Sequence, residues 1–358
     1  MNKRVQIQGV QPGDAAAEKG QVIHVSRPVR KKFSRMKFVL KLVITSSLVA
    51  IIVWHLGGLA EVGGLMARIT PLYVLLILMV NTLDRSLMTF KWGRLLRGRG
   101  VHLPFFRGMR IYCASMVWGM FLPATVGADA IRAISTSRMG LDANEIFASI
   151  IIERIVGFLS ALVLGLLSLV LLSLLIDLDV RFNFVWWLGS ATVAGTLILV
   201  AASFSQSAFD LLHDRLLHGF RDTRIMQRLR QLHSTYRAYQ DDKRNLALFF
   251  GLTFGEQLLT IVLFWLIAHG LGIEVSLFYI AGVVPLTILV ARLPVSVNGW
   301  GVFDGVFILL MSLAGVSAVE AIAIVLIGRI LQTVSWLPWW GAHVLGNASR
   351  QSPSSLAG

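Results

Sequence analysis

The chain has 358 residues, 56% of them hydrophobic and only 15% charged, with a mean hydropathy of +0.72. Soluble globular proteins carry about 25% charged residues, so the composition excludes a soluble domain and points to a membrane protein. The formal charge of +14 would suit nucleic acid, but it lies in loops beside apolar segments, which reads as contact with anionic lipid and excludes nucleic acid.

In chain order, residues 1–36 are polar, hold Gly, Pro and Gln, and lack an apolar run. They read as a disordered basic cytosolic tail, not a signal peptide. Residues 37–346 form a single transmembrane domain. Full spans are expected at 38–59, 72–90, 146–176, 185–204, 246–269 and 318–340. Two further apolar regions are interrupted. One, near 105–138, breaks at "FLPATVGAD"; the other, near 277–313, breaks at "RLPVSVNGWGVFDG". Pro123, Gly127, Pro294, Gly299 and Gly301 prevent a straight helix there. Each region is either a re-entrant hairpin or two short helices. The fold class is therefore an all-α polytopic membrane protein of about six full spans plus two interrupted segments, or eight if these count as paired spans. Residues 205–244 hold an amphipathic stretch, read as a cytosolic helix in the headgroup region or as a solvated connector. A cytosolic tail, 347–358, ends the chain.

Loop charge sets the orientation. Seven basic residues and no acid lie between Arg27 and Lys41, and six basic residues and no acid between Lys91 and Arg110. Basic residues also outnumber acids between Arg215 and Arg244, whereas the opposite loops hold little beyond Arg68, Arg181 and Glu274. The expectation is a multi-pass protein of the cytoplasmic (inner) membrane with both termini cytoplasmic.

The sequence repeats itself. "GLDANEIFASIIIERI" from Gly140 aligns with "GVSAVEAIAIVLIGRI" from Gly315, pairing Glu145 with Glu320 and Arg154 with Arg329. The broken segments at Leu122 and Leu293 precede these copies, and Asp84-Arg85 and Glu256-Gln257 precede the breaks at nearly the same spacing. The repeats are about 72–176 and 245–346. By the loop charges they are inverted in the membrane, the sequence pointer to an alternating-access transporter with its site near the midplane.

Charges in hydrocarbon are costly and functional by default. Arg154 and Arg329, with Glu153, Asp84, Arg85 and Glu256, are the candidate site for a phosphate headgroup. Arginine supplies bidentate donors, and helix amino termini at the breaks attract phosphate. The bland alternatives are structural ion pairs or snorkelling to an interface. Asp129, Arg132 and Asp304 are secondary candidates; Arg132 reads as a surface residue that funnels headgroups or merely counts toward the positive side. Trp186, Trp187, Trp336, Trp339 and Trp340 read as an interfacial belt. Single Cys113 excludes an internal disulfide, and no metal-ligand spacing or Walker motif occurs. No cofactor, metal or ATP hydrolysis is expected.

"FLPATVGADAIRA…GLDANEIFASIIIERIVGF" and "ARLPVSVNGWGVFDGVF…AGVSAVEAIAIVLIGRIL" resemble the two signature regions of the lysylphosphatidylglycerol synthase transmembrane (flippase-like) family. The resemblance spans about residues 37–345. It implies movement of a phospholipid between leaflets, by a stand-alone member without the transferase domain that makes the lipid. One departure stands out: Asp304 lies three residues after the second glycine of "NGWGVFD", displaced from the acid of the family pattern.

The leading expectation is thus a lipid transporter or flippase, not an enzyme, whose partners are its lipid substrate and the anionic membrane surface. The alternatives are a non-transporting partner of a separate lipid- or envelope-modifying enzyme, and an intramembrane lipid-carrier transferase.

Overall fold

The structure is a computed structural model that describes residues 59–120, 126–175, 198, 205, 231, 233–292 and 301–351. The spans expected at 38–59 and 185–204, most of the amphipathic stretch, and Pro123, Pro294 and Gly299 lie outside the described residues. Among those described, the regular structure is helical.

A short helix α1 (Leu59–Met66) leads into α2 (Pro71–Arg97), which Pro71 opens. Proline suits a first turn because its missing N–H would have no partner there. Then come α3 (Phe105–Gly119), α4 (Val126–Ser137) and α5 (Ala143–Leu175). After the linker follow α6 (Lys243–Gly270), α7 (Leu277–Ala291), α8 (Val302–Ser312) and α9 (Ala318–Gln351). Helices α2, α5, α6 and α9 are long and apolar enough to cross a membrane. At 1.5 Å per residue the shortest of them reaches about 40 Å, against a hydrocarbon core of about 30 Å. Helix α3 and helix α7 have 15 residues each, or about 22 Å, and fall short of a crossing. Each interrupted region thus contains two short helices, and the residues of the breaks, 121–125 and 293–300, lie outside the described residues.

The second set of four helices repeats the first in order and length. It also repeats the turns. Gly100 and Gly272 have φ of 75° and 76°, and Gly140 and Gly315 have 77° and 79°. Glycine enters this left-handed region without the Cβ penalty, and so ends helices. The bonds that close the turns match too: Val101 N–H to Leu96 O at 3.1 Å and Ile273 N–H to Ala268 O at 3.0 Å.

Packing follows the same exchange. Helix α2 lies on α6, α3 lies on α9, and α7 lies on α5, so swapping the two sets leaves these pairings unchanged. The details differ between equivalent interfaces. Where α5 meets α7, bare backbone receives leucines: a Cβ on Gly165 would stand 2.7 Å from Leu289, and one on Gly282 would stand 2.7 Å from Leu172. Ser168 Oγ adds a hydrogen bond to Ala281 O at 2.9 Å. Small residues of this kind let membrane helices approach closely. Where α3 meets α9, Trp336 fills the space against Met109, Cys113 and Val117. Trp336 is buried, which corrects its reading as a belt residue: its ring packs between helices.

Candidate functional site

Each interrupted region delivers an aspartate to the start of its second short helix. Asp129 stands in the first turn of α4 and Asp304 in the first turn of α8. Negative charge is favoured there by the helix dipole. Asp304 Oδ2 also accepts the Gly301 N–H at 2.8 Å, and Gly301, at φ 79°, makes the turn into α8. Gly127 is buried in the first turn of α4.

Each aspartate meets an arginine from the long helix that follows. Arg154 Nη2 lies 2.7 Å from Asp129 Oδ2, and its Nε donates to the same oxygen at 3.0 Å. Arg329 Nη2 lies 2.7 Å from Asp304 Oδ1. Both pairs bridge 25 residues, and the second stands 175 positions after the first, the spacing that aligns Gly140 with Gly315. Asp304, displaced by the sequence pattern, is therefore the spatial counterpart of Asp129. Arg154 remains 53% exposed, so its guanidinium is accessible to a ligand.

Around the first pair lies a charge cluster. Arg132, on α4, is 1% exposed and not at the surface, contrary to its reading as a headgroup funnel. Its Nη1 lies 2.9 Å from Glu153 Oε2, and its guanidinium lies over the rings of Trp92 at 4.7 Å and Tyr112 at 4.9 Å. Tyr112 Oη donates to Glu153 Oε1 at 2.8 Å. Buried charge is tolerated where such partners replace water. Asp84 accepts from its neighbour Arg85 through Nε at 2.8 Å. Glu256, from α6, is ion-paired with Lys91 of α2. Lys91 Nζ also donates to Thr253 Oγ1 at 3.1 Å. These groups act on one another: Arg85 feels Glu256 and Tyr112, and Glu153 feels Lys91 and Arg154.

The structure thus gathers Asp84, Arg85, Asp129, Arg132, Glu153, Arg154 and Glu256 into one neighbourhood. It places Arg329 with Asp304 as the second-half counterpart. Sequence reasoning missed two members. By sequence Lys91 counts among the loop cations, yet it is 2% exposed. Its signal was faint: "TFKWGR" reads as the start of a basic loop, and its acid lies 165 residues away. Arg292 caps α7 at the second break. Its Nη1 lies 3.8 Å from where a Cβ on Gly157 would stand, ordinary contact distance, so its guanidinium lies against α5. It lies within electrostatic reach of Glu256 and Arg154 but has no carboxylate partner among the described residues. Counting it, the cluster holds five cations against four acids and carries a net positive charge. Such a site suits an anion. Among the described residues no cluster of three or more His, Cys, Asp or Glu side chains could hold a metal ion.

Residues 38–338 match the protein family described as the lysylphosphatidylglycerol synthase TM region. The chain is also similar to a UPF0104 membrane protein of Methanothermobacter thermautotrophicus, 24% identical over 317 residues, which cover 80% of this chain and 91% of the relative.

Proposed function

The chain belongs to the lysylphosphatidylglycerol synthase transmembrane family, and from that membership we propose that it moves a phosphate-bearing lipid between leaflets of the cytoplasmic membrane. The observation that carries the reading is the pair of Asp–Arg bridges, Asp129–Arg154 and Asp304–Arg329, one at each interrupted region. Loop charges favour opposite orientations of the two four-helix sets, an inverted repeat with both termini cytoplasmic. Interrupted helices in matching positions of inverted repeats are the usual frame of a midplane binding site and alternating access.

In this mechanism the headgroup phosphate takes the place of an aspartate on its arginine. The planar guanidinium holds two phosphate oxygens at once, as it would hold a carboxylate. Arg292, which has no acid to displace, supplies a further cation for the entering anion. Rocking of one set against the other then hands the headgroup from one bridge to its counterpart. Chemistry on the lipid is not part of this reading: the chain acts as a transporter, not an enzyme.

The test compares Arg154→Gln, Arg154→Lys, Arg329→Gln and Arg329→Lys in proteoliposomes. Transport of a labelled anionic phospholipid is read beside the melting temperature. Loss of one charge-assisted hydrogen bond costs about 1.5–3 kcal/mol, or roughly tenfold to a hundredfold in headgroup affinity. Lysine keeps the charge but not the fork, so both Lys variants should transport poorly while melting near the wild-type temperature. Variants that melt early while the folded fraction transports at the wild-type rate would reduce both bridges to architecture.

A further inference from the structure

A second feature lies outside the charge cluster. Where the carboxyl end of α2 passes the amino end of α3, an open surface groove of about 50 Å³ is lined by Phe90, Gly93, Arg94, Arg97, Phe105 and Gly108, among others. Arg94 and Arg97 are exposed in the last turn of α2 and have no ion-pair or hydrogen-bond partner among the described residues. Helix α3 begins at Phe105 without a side-chain cap, and its first backbone bond is Gly108 N–H to Pro104 O at 2.9 Å. The preceding N–H groups are thus left over, as at any helix start.

The groove also has an apolar side and a depth. Phe90 and Phe105 are exposed beside the arginines. Phe105 meets Phe106 edge-on at 5.5 Å, and Phe106 stacks on Trp339 at 6.3 Å. Of these rings, Trp339 is of the type enriched at the headgroup level of a bilayer. Cations with apolar rings at that depth complement the phosphate and upper acyl chain of a lipid.

The second four-helix set shows that the shared fold does not require these residues. At the equivalent positions, 172 further on, Trp265 stands for Gly93, Leu266 for Arg94, His269 for Arg97 and Ile280 for Gly108. Large side chains replace both glycines, and neither arginine is kept.

We propose that this groove binds one anionic phospholipid of the adjacent leaflet, phosphate on Arg94 and Arg97 and acyl chain along Phe90 and Phe105. The site is separate from the transport cluster and does not depend on transport. None of its lining residues belongs to either Asp–Arg bridge.

The experiment is native mass spectrometry of the detergent-solubilised full chain. It is titrated with phosphatidylglycerol, with phosphatidylcholine, and with phosphatidylglycerol plus sn-glycerol 3-phosphate. Wild type is compared with Arg94→Gln/Arg97→Gln, with Gly93→Trp, and with a control, Lys243→Gln/Arg244→Gln, that removes equal exposed charge from the start of α6. Loss of two charge-assisted contacts should weaken phosphatidylglycerol binding about tenfold or more. Gly93→Trp should block it, and the control should change it less than about threefold. Melting temperatures, read alongside, should stay at wild type for the arginine variant because both residues are exposed. Equal loss in the control means diffuse surface electrostatics and overturns the site. Equal binding of phosphatidylcholine, or displacement by glycerol phosphate at matched concentration, overturns the anionic-lipid assignment. Unchanged binding in the arginine variant overturns it outright.

Discussion

The two four-helix sets solve one packing problem in two ways. In the first, Arg132 of α4 lies over Trp92 and reaches Glu153. In the second, Phe307 of α8 stands in the place of Arg132 and packs on Phe264, 5.3 Å between ring centres. Phe264 occupies the position of Trp92, and Gly328 that of Glu153. Both sets keep the Asp–Arg bridge beside this contact. The contact between α4 or α8 and its neighbours is therefore met as readily by an aromatic pair as by a buried ion pair. The bridge is the shared feature, and the filling beside it is the variable one.

The largest effect should come from breaking the first solution without supplying the second. Glu153→Gln leaves the buried Arg132 guanidinium only Asp129, 3.7 Å away and already bridged to Arg154, as a counter-charge, and stranding one member of a buried pair costs up to about 3–5 kcal/mol. The melting temperature should fall accordingly. Arg132→Phe with Glu153→Gly imports the second-set filling and should recover at least half of that loss, because buried ion pairs are often replaceable by apolar groups of similar volume. Tyr112 loses its acceptor in the double variant, which keeps recovery incomplete. A double variant no more stable than Glu153→Gln would show that the two sets are not interchangeable here.

The sequence made the long helices legible through uninterrupted hydropathy, and the breaks through Pro and Gly inside apolar runs. It made Arg154 and Arg329 legible because they recur at one spacing in nearly pure hydrocarbon. It hid Lys91 and Arg132, since a cation beside a basic loop looks alike whether it faces water or the core. Only the acids and rings brought by other helices decide that: Glu256 and Thr253 for Lys91, and Glu153, Trp92 and Tyr112 for Arg132. It hid Arg292 for a related reason, because what it meets, Gly157 on α5 and the charges of Glu256 and Arg154, comes from other helices. The pairing of Glu145 with Glu320 was legible, but the separate duties of these two acids were not.

A smaller effect is expected at the break itself. A Cβ on Gly119, the last residue of α3, would stand 2.8 Å from Ala128 Cβ and 3.1 Å from Ala128 Cα on α4. Backbone cannot yield as a side-chain tip does. The equivalent residue at the end of α7 is Ala291, so that turn already accommodates a methyl group. Gly119→Ala should cost about 1–3 kcal/mol through overpacking, while Ala291→Gly should cost less than about 1 kcal/mol as a helix-end glycine. Melting curves of the two purified variants decide it; equal losses would mean that the two breaks pack alike.

The smallest effect separates the matched acids Glu145 and Glu320. Glu320 closes its own helix start: its carboxylate accepts from Ser317 N–H at 2.8 Å, while Ser317 Oγ accepts from Glu320 N–H at 3.3 Å. Glutamine serves that capping box almost as well, so Glu320→Gln should be nearly silent. Glu145 instead ties together three segments. It accepts from Arg99 at 3.2 and 3.3 Å and from Tyr239 Oη at 3.3 Å, and the Arg99 guanidinium lies over the Tyr239 ring. Its hydrogen bond to Glu145 raises Arg99 above the usual arginine value, and burial, then the carboxylate, push the Tyr239 phenol up. Because Arg99 is partly exposed, Glu145→Gln should cost only about 1 kcal/mol. The raised phenol adds a pH signature. Unfolded tyrosine ionises near pH 10, so below about pH 10 both states keep the proton and the contribution is complete. Above it the unfolded chain ionises first, and the contribution fades as pH climbs toward the folded value. The difference in melting temperature between wild type and Tyr239→Phe should therefore be constant from pH 7 to 9 and shift against wild type above pH 10. A difference that stays flat through pH 11 would show that neither burial nor Glu145 holds the Tyr239 proton.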